Sequence, residues 1–215
     1  METVAIFGSS GGLGSGIAET LASHYRLILG YHSNLDTVEA LRETIVSAGY
    51  CLYGGSTQLI VADKHNVNLL LLQRDESQFK NISILNIPYK GGIYAINESN
   101  KHRWNLDYYN KLVEVFMGQK YTQRWVGSLV ADTHRTIIKG GYFSYPSDSK
   151  SPNGRLRLLY EAIPMCFIIE TAGGKAFVDE TLKDWRKTTF PSNIHVKTPL
   201  SLMSQKEYEL LVTCI

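Results

Sequence analysis

The chain has little that would mark a nucleic-acid-binding, membrane-spanning or disulfide-built protein. Its 215 residues hold 22 Lys and Arg against 20 Asp and Glu, a formal net charge of +2, with no basic run. No surface for nucleic acid or an anionic membrane is therefore expected. The three cysteines, Cys51, Cys166 and Cys214, are odd in number, far apart and without a C-x-x-C spacing. Free, buried thiols in a reducing compartment are expected, not a disulfide framework or a zinc site. Leu69 to Leu72 is a short apolar run, far below the roughly 20 residues that span a bilayer. The N-terminus lacks a basic segment leading into a long apolar one, so no signal peptide is read there. These absences together point to a soluble, cytoplasmic protein.

What remains is ordinary globular material, 44% hydrophobic and 20% charged, enough for one large domain or two small ones. The composition shifts near Ala48-Gly49, which divides the chain into residues 1–47 and 48–215. No internal repeat or low-complexity segment interrupts either part.

The first part reads as a β-α-β-α unit. Val4 to Phe7 is a short apolar strand, followed by GSSGGLGSG and a helix from about Leu13 to Ser23 with Ile17 and Leu21 on its apolar face. Leu27 to Gly30 is a second strand, and Asn34 or Asp36 can cap a second helix through Val46. Gly8, Gly12 and Gly14 stand between strand and helix, where glycine permits a tight turn and close approach of a pyrophosphate to free helix N–H groups. The plain alternative is that these glycines only let the helix pack close to the strand. Residues 3–46 resemble the cofactor-binding start of short-chain dehydrogenases. The second strand ends in Tyr31-His32-Ser33 without an acidic residue for a ribose hydroxyl, which by that resemblance favours NADP. The catalytic half of such an enzyme is missing. None of the 13 tyrosines has a lysine four residues later, and no Asn-Asn-Ala-Gly segment occurs, so no proton donor is placed against a hydride acceptor.

In the second part, strands are expected at Leu59–Ala62, Val67–Leu72, Ile82–Leu85, Ile93–Ile96 and Tyr142–Tyr145. Helices are expected at Leu106–Met117, Leu129–Lys139, Tyr160–Thr171 and Gln205–Val212. Gly140-Gly141 and Gly173-Gly174 end two of them, and Pro164 is tolerated in the first turns of a third.

The segments AGYCLYGGSTQLIVA, GGIYAINES, RWVGSLVADTHRTIIKGGYFSYP, SPNGRLRLLYE, AIPMCFIIETAGGKA and PSNIH are long, ungapped and specific. They are similar to class 1 fructose-1,6-bisphosphatase, from about Ala48 almost to the C-terminus. The resemblance implies an α/β fold: a layered sheet domain of the sugar-phosphatase type with helices on both faces, preceded by the half-Rossmann unit. It also implies that Asn97, Arg124, Tyr145 and Arg155 surround the phosphate distal to the scissile one, with Arg124 reaching across a dimer interface. By the same resemblance Arg157 lies near the active site, and Glu161 is a Mg²⁺ ligand beside the scissile phosphate. Guanidinium groups suit this task because they grip phosphate oxygens in a planar, bidentate fashion. Trp125 stands where a tyrosine is usual; its indole N–H can donate, but from a different place. Arg155 stands where lysine is usual, and Asn100 takes a position that is tyrosine in some relatives.

His134 and Arg135 read as structural or solvated helix residues, Asp132 as a helix-face acceptor, and Tyr142 and Tyr160 as core or interface residues. No residue is assigned a catalytic acid–base role. Metal-assisted ester hydrolysis needs several carboxylates. The family's Asp-Pro-Leu-Asp-Gly-Ser segment is absent, and no aspartate is followed by another three residues later. Glu161 is then a ligand without partners. Three functions stay open: a phosphatase completed by carboxylates of a partner subunit; a sugar-phosphate-binding or regulatory protein without turnover, as a homo-oligomer or paired with an intact relative; and a nucleotide-binding fusion in an oxidoreductase context.

Overall fold

The computed structural model describes residues 3–4, 26–27, 45–73, 75, 77–188, 191, 193 and 195–215. Strands β1 (Thr3–Val4) and β2 (Arg26–Leu27) pair in parallel. The remainder of the β-α-β-α unit read from the sequence, with both helices and with Gly8, Gly12 and Gly14, lies outside the described residues.

From Ala48 the chain builds two sheets with helices between them. The first is an antiparallel meander of β3 (Ala48–Tyr53), β4 (Thr57–Ala62), β5 (Val67–Gln73) and β6 (Gln78–Ile84), in that spatial order. Ala48, Tyr50, Ile60, Ala62 and Val67 point to one buried face, as period-2 alternation requires. Strand β3 is not among the strands expected from the sequence. Its register, Ala48 opposite Ala62 through Tyr53 opposite Thr57, leaves Gly54-Gly55-Ser56 as a three-residue hairpin loop. Strand β6 starts at Gln78, earlier than the apolar run at Ile82 suggests. Among the described residues its pairing to β5 holds that polar start, and it is an exposed edge.

The second sheet has five strands: β7 (Ile93–Ala95), β8 (Thr122–Gln123), β9 (Tyr142–Tyr145), β11 (Lys175–Phe177) and β13 (Leu200–Met203). Their order is β11-β13-β9-β7-β8. The β8, β7 and β9 strands run parallel, while β13 is antiparallel to both β9 and β11. A separate pair, β10 (Leu156–Arg157) with β12 (Lys197–Thr198), is antiparallel.

Helices α2 (Leu129–Lys139) and α3 (Ile163–Thr171) fill the space between the sheets. Helix α3 buries Ile163, Met165, Cys166, Ile168 and Ile169 on several faces, which suits a helix covered by a sheet on each side. Between the sheets, Ile137, Phe143, Cys166, Ile168, Ile169 and Leu202 are fully enclosed. Helices α1 (Tyr108–Gly118) and α4 (Gln205–Val212) cover the other face of the five-stranded sheet. There Tyr109, Leu112 and Phe116 pack with Tyr94, Tyr142 and Leu211. Each such side chain stabilises the fold by about 1.5–3 kcal/mol.

Helix α3 is preceded by a π-helical turn, Leu158–Ala162, so the helix expected from Tyr160 starts as a wider coil. Pro164 falls in the first turn of the α-helical part, where its missing N–H costs nothing. Gly141 has φ +113, and a Cβ there would lie 2.1 Å from the Ile93 carbonyl oxygen. That close crossing is what admits β9 beside β7. Among the described residues no helix is long and apolar enough to cross a membrane.

Candidate functional site

Three parallel strands deliver their carboxyl ends to one edge of the five-stranded sheet. Tyr94 and Ala95 of β7 lie opposite Tyr142 and Phe143 of β9, and Tyr94 lies opposite Gln123 of β8. Asn97 follows β7, Arg124 and Trp125 follow β8, and Tyr145 ends β9. Such carboxyl ends are where open α/β sheets bind ligands. The backbone N–H of Arg124 continues the ladder by donating to the Tyr94 carbonyl at 2.9 Å.

Trp125 and Tyr145 are in contact, ring centroids 4.9 Å apart and inclined at 64°, with Phe143 stacked behind the indole. Tyr145 is half-buried and its phenol is pushed up by burial, with Arg155 opposing the shift. The Arg155 guanidinium is 3.0 Å from the Asp148 carboxylate and remains 39% exposed. Of the residues that the resemblance puts at a phosphate, Trp125 and Tyr145 are thus in contact, and Arg155 is tied to Asp148.

Asn97 sits at the start of the 3-10 turn Glu98–Arg103, its side-chain oxygen accepting the Ser99 N–H at 3.2 Å. The oxygen is used internally, and the amide nitrogen has no partner among the described residues. Arg124 is exposed, and its side chain has no ion pair or hydrogen bond among the described residues. Asn100 does not face free space. It accepts from Arg103, and Arg103 in turn reaches Asp148 at 3.4 Å.

Arg157 and Glu161 pair with each other. The Arg157 N–H donates to one Glu161 oxygen at 2.7 Å, and the guanidinium lies 3.4 Å from the other. A wide π turn brings these two residues together. Among the described residues no group of three His, Cys, Asp or Glu side chains is placed to hold a metal. A lone carboxylate already engaged with an arginine does not fit a hydrated Mg²⁺ ion, which needs several oxygen ligands in octahedral geometry.

The supporting groups were less visible in the sequence. Asp148 is buried, 2% exposed. Its second carboxylate oxygen takes Arg155 and Arg103, while the first accepts the N–H groups of Lys150 and Ser151 at 2.9 and 2.8 Å. Burial alone would raise its pKa, but the Arg155 guanidinium and the two amides outweigh that and hold it below the usual carboxylate value. The run Ser147-Asp148-Ser149-Lys150 signals only a local Asx turn. Nothing in one dimension pointed to Arg103. Asp132, expected as a helix-face acceptor, is wholly buried and accepts from the Val126 and Gly127 N–H groups and from Arg135. It braces the segment that carries Arg124 and Trp125. His134 meets Tyr50 at 3.0 Å, Tyr142 is a core residue, and Tyr160 meets His195 at 3.0 Å.

Residues 87–215, more than half of the chain, match the family model described as the fructose-1-6-bisphosphatase C-terminal domain. A class 1 fructose-1,6-bisphosphatase of Persephonella marina is 40% identical over 172 residues, covering 79% of this chain and 52% of the relative. A cytosolic fructose-1,6-bisphosphatase of Solanum tuberosum is 37% identical over 88% of this chain and 56% of its own. The crystal structure of the Leishmania major fructose-1,6-bisphosphatase in holo form superposes with a TM-score of 0.75 at 35% identity, covering 80% of this chain and 57% of that one. The chain spans about half the length of the curated relatives it matches.

Proposed function

Because the chain belongs to the fructose-1,6-bisphosphatase family, whose C-terminal domain it carries, we propose that it binds the phosphate of fructose 6-phosphate or of fructose 1,6-bisphosphate through Asn97, Tyr145, Arg155 and the indole of Trp125. One observation supports this reading: Trp125 and Tyr145 are in contact beyond the carboxyl ends of parallel strands, and Arg155, paired with Asp148, keeps a guanidinium that is 39% exposed. An aromatic wall, a phenol and a planar cation form a sound receptor for a sugar phosphate. Arg124, exposed and unengaged among the described residues, is free to serve a second subunit. We propose a homo-oligomer, or pairing with an intact relative, in which it does so.

Recognition is favoured over cleavage. Arg155 and Tyr145 can hold one phosphate without any metal. Attack of water on the other requires clustered carboxylates, and Glu161 is turned to Arg157. Turnover by this chain would have to draw carboxylates from a partner subunit.

Calorimetric titration with fructose 6-phosphate, with fructose as the phosphate-free control, tests the reading. Binding of the phosphate ester alone, weakened roughly 10- to 100-fold in Arg155→Met, is expected, since a charged hydrogen bond is worth about 1.5–3 kcal/mol. Equal affinity for the two sugars would refute it. Phosphate release from fructose 1,6-bisphosphate with Mg²⁺, lost in Glu161→Gln, would show that the metal site is completed by other carboxylates.

A further inference from the structure

We propose that Asp148 is a positioning residue of the phosphate pocket, which fixes the guanidinium of Arg155 and ties it to the turn that follows Asn97. The inference rests on the reading of Arg155 as a phosphate ligand.

The geometry has three parts. Asp148 is anchored by its own loop: one carboxylate oxygen accepts the N–H groups of Lys150 and Ser151. The other oxygen is shared by two guanidinium groups, Arg155 at 3.0 Å and Arg103 at 3.4 Å. These come from two different segments of the chain. Arg103 closes the turn Glu98–Arg103 that Asn97 begins, and Arg155 precedes β10. The contacts run without a break from Asn100 to Arg103, Asp148 and Arg155. The Trp104–Asp148 bridge and the Ser149 N–H donating to the Arg103 carbonyl at 3.0 Å lock the same two segments through the backbone.

The arrangement is more than a structural ion pair because of its charge balance and exposure. Two guanidinium groups share one carboxylate, so a positive charge is left over. Arg103 has no other ion pair among the described residues, and its Nε is enclosed without a partner. Arg103 is 18% exposed and Arg155 39% exposed. The surplus charge is therefore presented to solvent by Arg155. One edge of that guanidinium is held by Asp148 and the other faces out, so little rotamer freedom remains to be lost when an anion binds. Glu180, which reaches the same loop, is engaged with the N–H and hydroxyl of Ser147 at 2.9 and 2.6 Å. Gly154 supports the approach: at φ +74, a Cβ there would meet the Thr198 carbonyl carbon at 2.1 Å, so the loop rests on the chain leading from β12 to β13.

The test is a double-mutant cycle on fructose 6-phosphate affinity with Asp148→Asn and Arg155→Met. Asparagine keeps an acceptor for the Lys150 and Ser151 amides and replaces the oxygen that holds the two arginines by an uncharged NH2 group; Asp148→Ser removes the same charge if the first variant does not fold. Asp148→Asn is expected to weaken binding roughly 10-fold and to have no further effect once Arg155 is methionine. Asp148→Glu is expected to restore part of the loss. Unchanged affinity in Asp148→Asn, or effects that simply add, overturns the proposal. A second readout is the nuclear relaxation of the Arg155 guanidinium, expected to show greater mobility in Asp148→Asn with or without ligand. An equally restrained Arg155 overturns the positioning role, whereas wild-type protein that binds no sugar phosphate overturns the reading of the pocket.

Discussion

The indole of Trp125 meets the Tyr145 ring edge-on, with 4.9 Å between ring centroids. This contact sets an indole against a phenol, and the indole N–H donates from a different place than a tyrosine hydroxyl would. Trp125→Tyr is expected to tighten fructose 6-phosphate binding, by roughly 2- to 10-fold if the hydroxyl makes one net hydrogen bond. Trp125→Ala is expected to cost about 2 kcal/mol of stability, less than a fully buried tryptophan because this one is half-buried. Urea unfolding checks the second and calorimetric titration the first. A Trp125→Tyr variant that binds more weakly would show that the indole N–H serves the phosphate better than a phenol hydroxyl.

Arg124 gives a concentration-dependent prediction. Its side chain is exposed and has no partner among the described residues, so Arg124→Ala should change stability by no more than about 0.5 kcal/mol. If it serves a neighbouring subunit, affinity for fructose 6-phosphate should rise with protein concentration in wild type. In the variant that dependence should vanish. Sedimentation run alongside the titration decides it: an effect of Arg124→Ala on strictly monomeric protein would place the residue in its own pocket.

The legible parts of this chain were those set by local rules. Helix α2 ends where Gly140 supplies φ +70, and β9 and α4 lie where alternation and helical spacing put them. The aromatic and cationic site residues were legible only through family resemblance. Two features were hidden for different reasons. The partnership of Arg103 with Asp148 spans 45 positions, and only the folded sheet order makes them neighbours. The pairing of Arg157 with Glu161 is at i,i+4, but it is made through a π turn that the sequence pattern does not signal.

Tyr50 and His134 provide a pH probe between the outer sheet and α2. The Tyr50 hydroxyl, whose pKa burial drives up, lies 3.0 Å from the His134 Nδ1. A neutral ring with its proton on Nε2 accepts from that hydroxyl, whereas a protonated ring can only donate to it. Burial also lowers the His134 pKa from its ordinary 6.5. The unfolded chain thus takes up the proton first. The associated stability is complete above about 6.5 and is lost as pH falls from there to the folded value, no more steeply than about 1.4 kcal/mol per pH unit. Thermal melts from pH 8 to pH 5 should show this decline in wild type and a flatter profile in His134→Gln. Parallel profiles would mean that the pair does not titrate on unfolding.

Gly141 tests the packing that brings β7 and β9 side by side. Its φ of +113 is strained for any L side chain, and a Cβ would sit 2.1 Å from the Ile93 carbonyl oxygen. Neither strand can yield without breaking the parallel pairing that aligns Asn97 with Tyr145. Gly141→Ala should therefore destabilise by about 3 kcal/mol or more and lower sugar-phosphate affinity along with stability. By contrast, Gly92, where a Cβ would meet nothing within 4 Å and no positive φ is required, should accept alanine with a change near zero.

Glu161 separates recognition from metal chemistry. One oxygen accepts the Arg157 N–H at 2.7 Å, ahead of the π turn, in the manner of a glutamate reaching back to a helix start. Removing that acceptor in Glu161→Ala should cost about 1 kcal/mol of stability. Mg²⁺ has to displace Arg157 and find further ligands, so the affinity should be no tighter than about 10 mM. At that concentration, linkage limits the stabilisation to about 0.4 kcal/mol, too small to move a melting curve appreciably. Melting with and without 10 mM Mg²⁺ measures this directly. A clear upward shift that disappears in Glu161→Gln would mean that Glu161 leaves Arg157 to join a carboxylate cluster supplied from beyond the described residues, and hydrolysis would then become the better reading of the pocket.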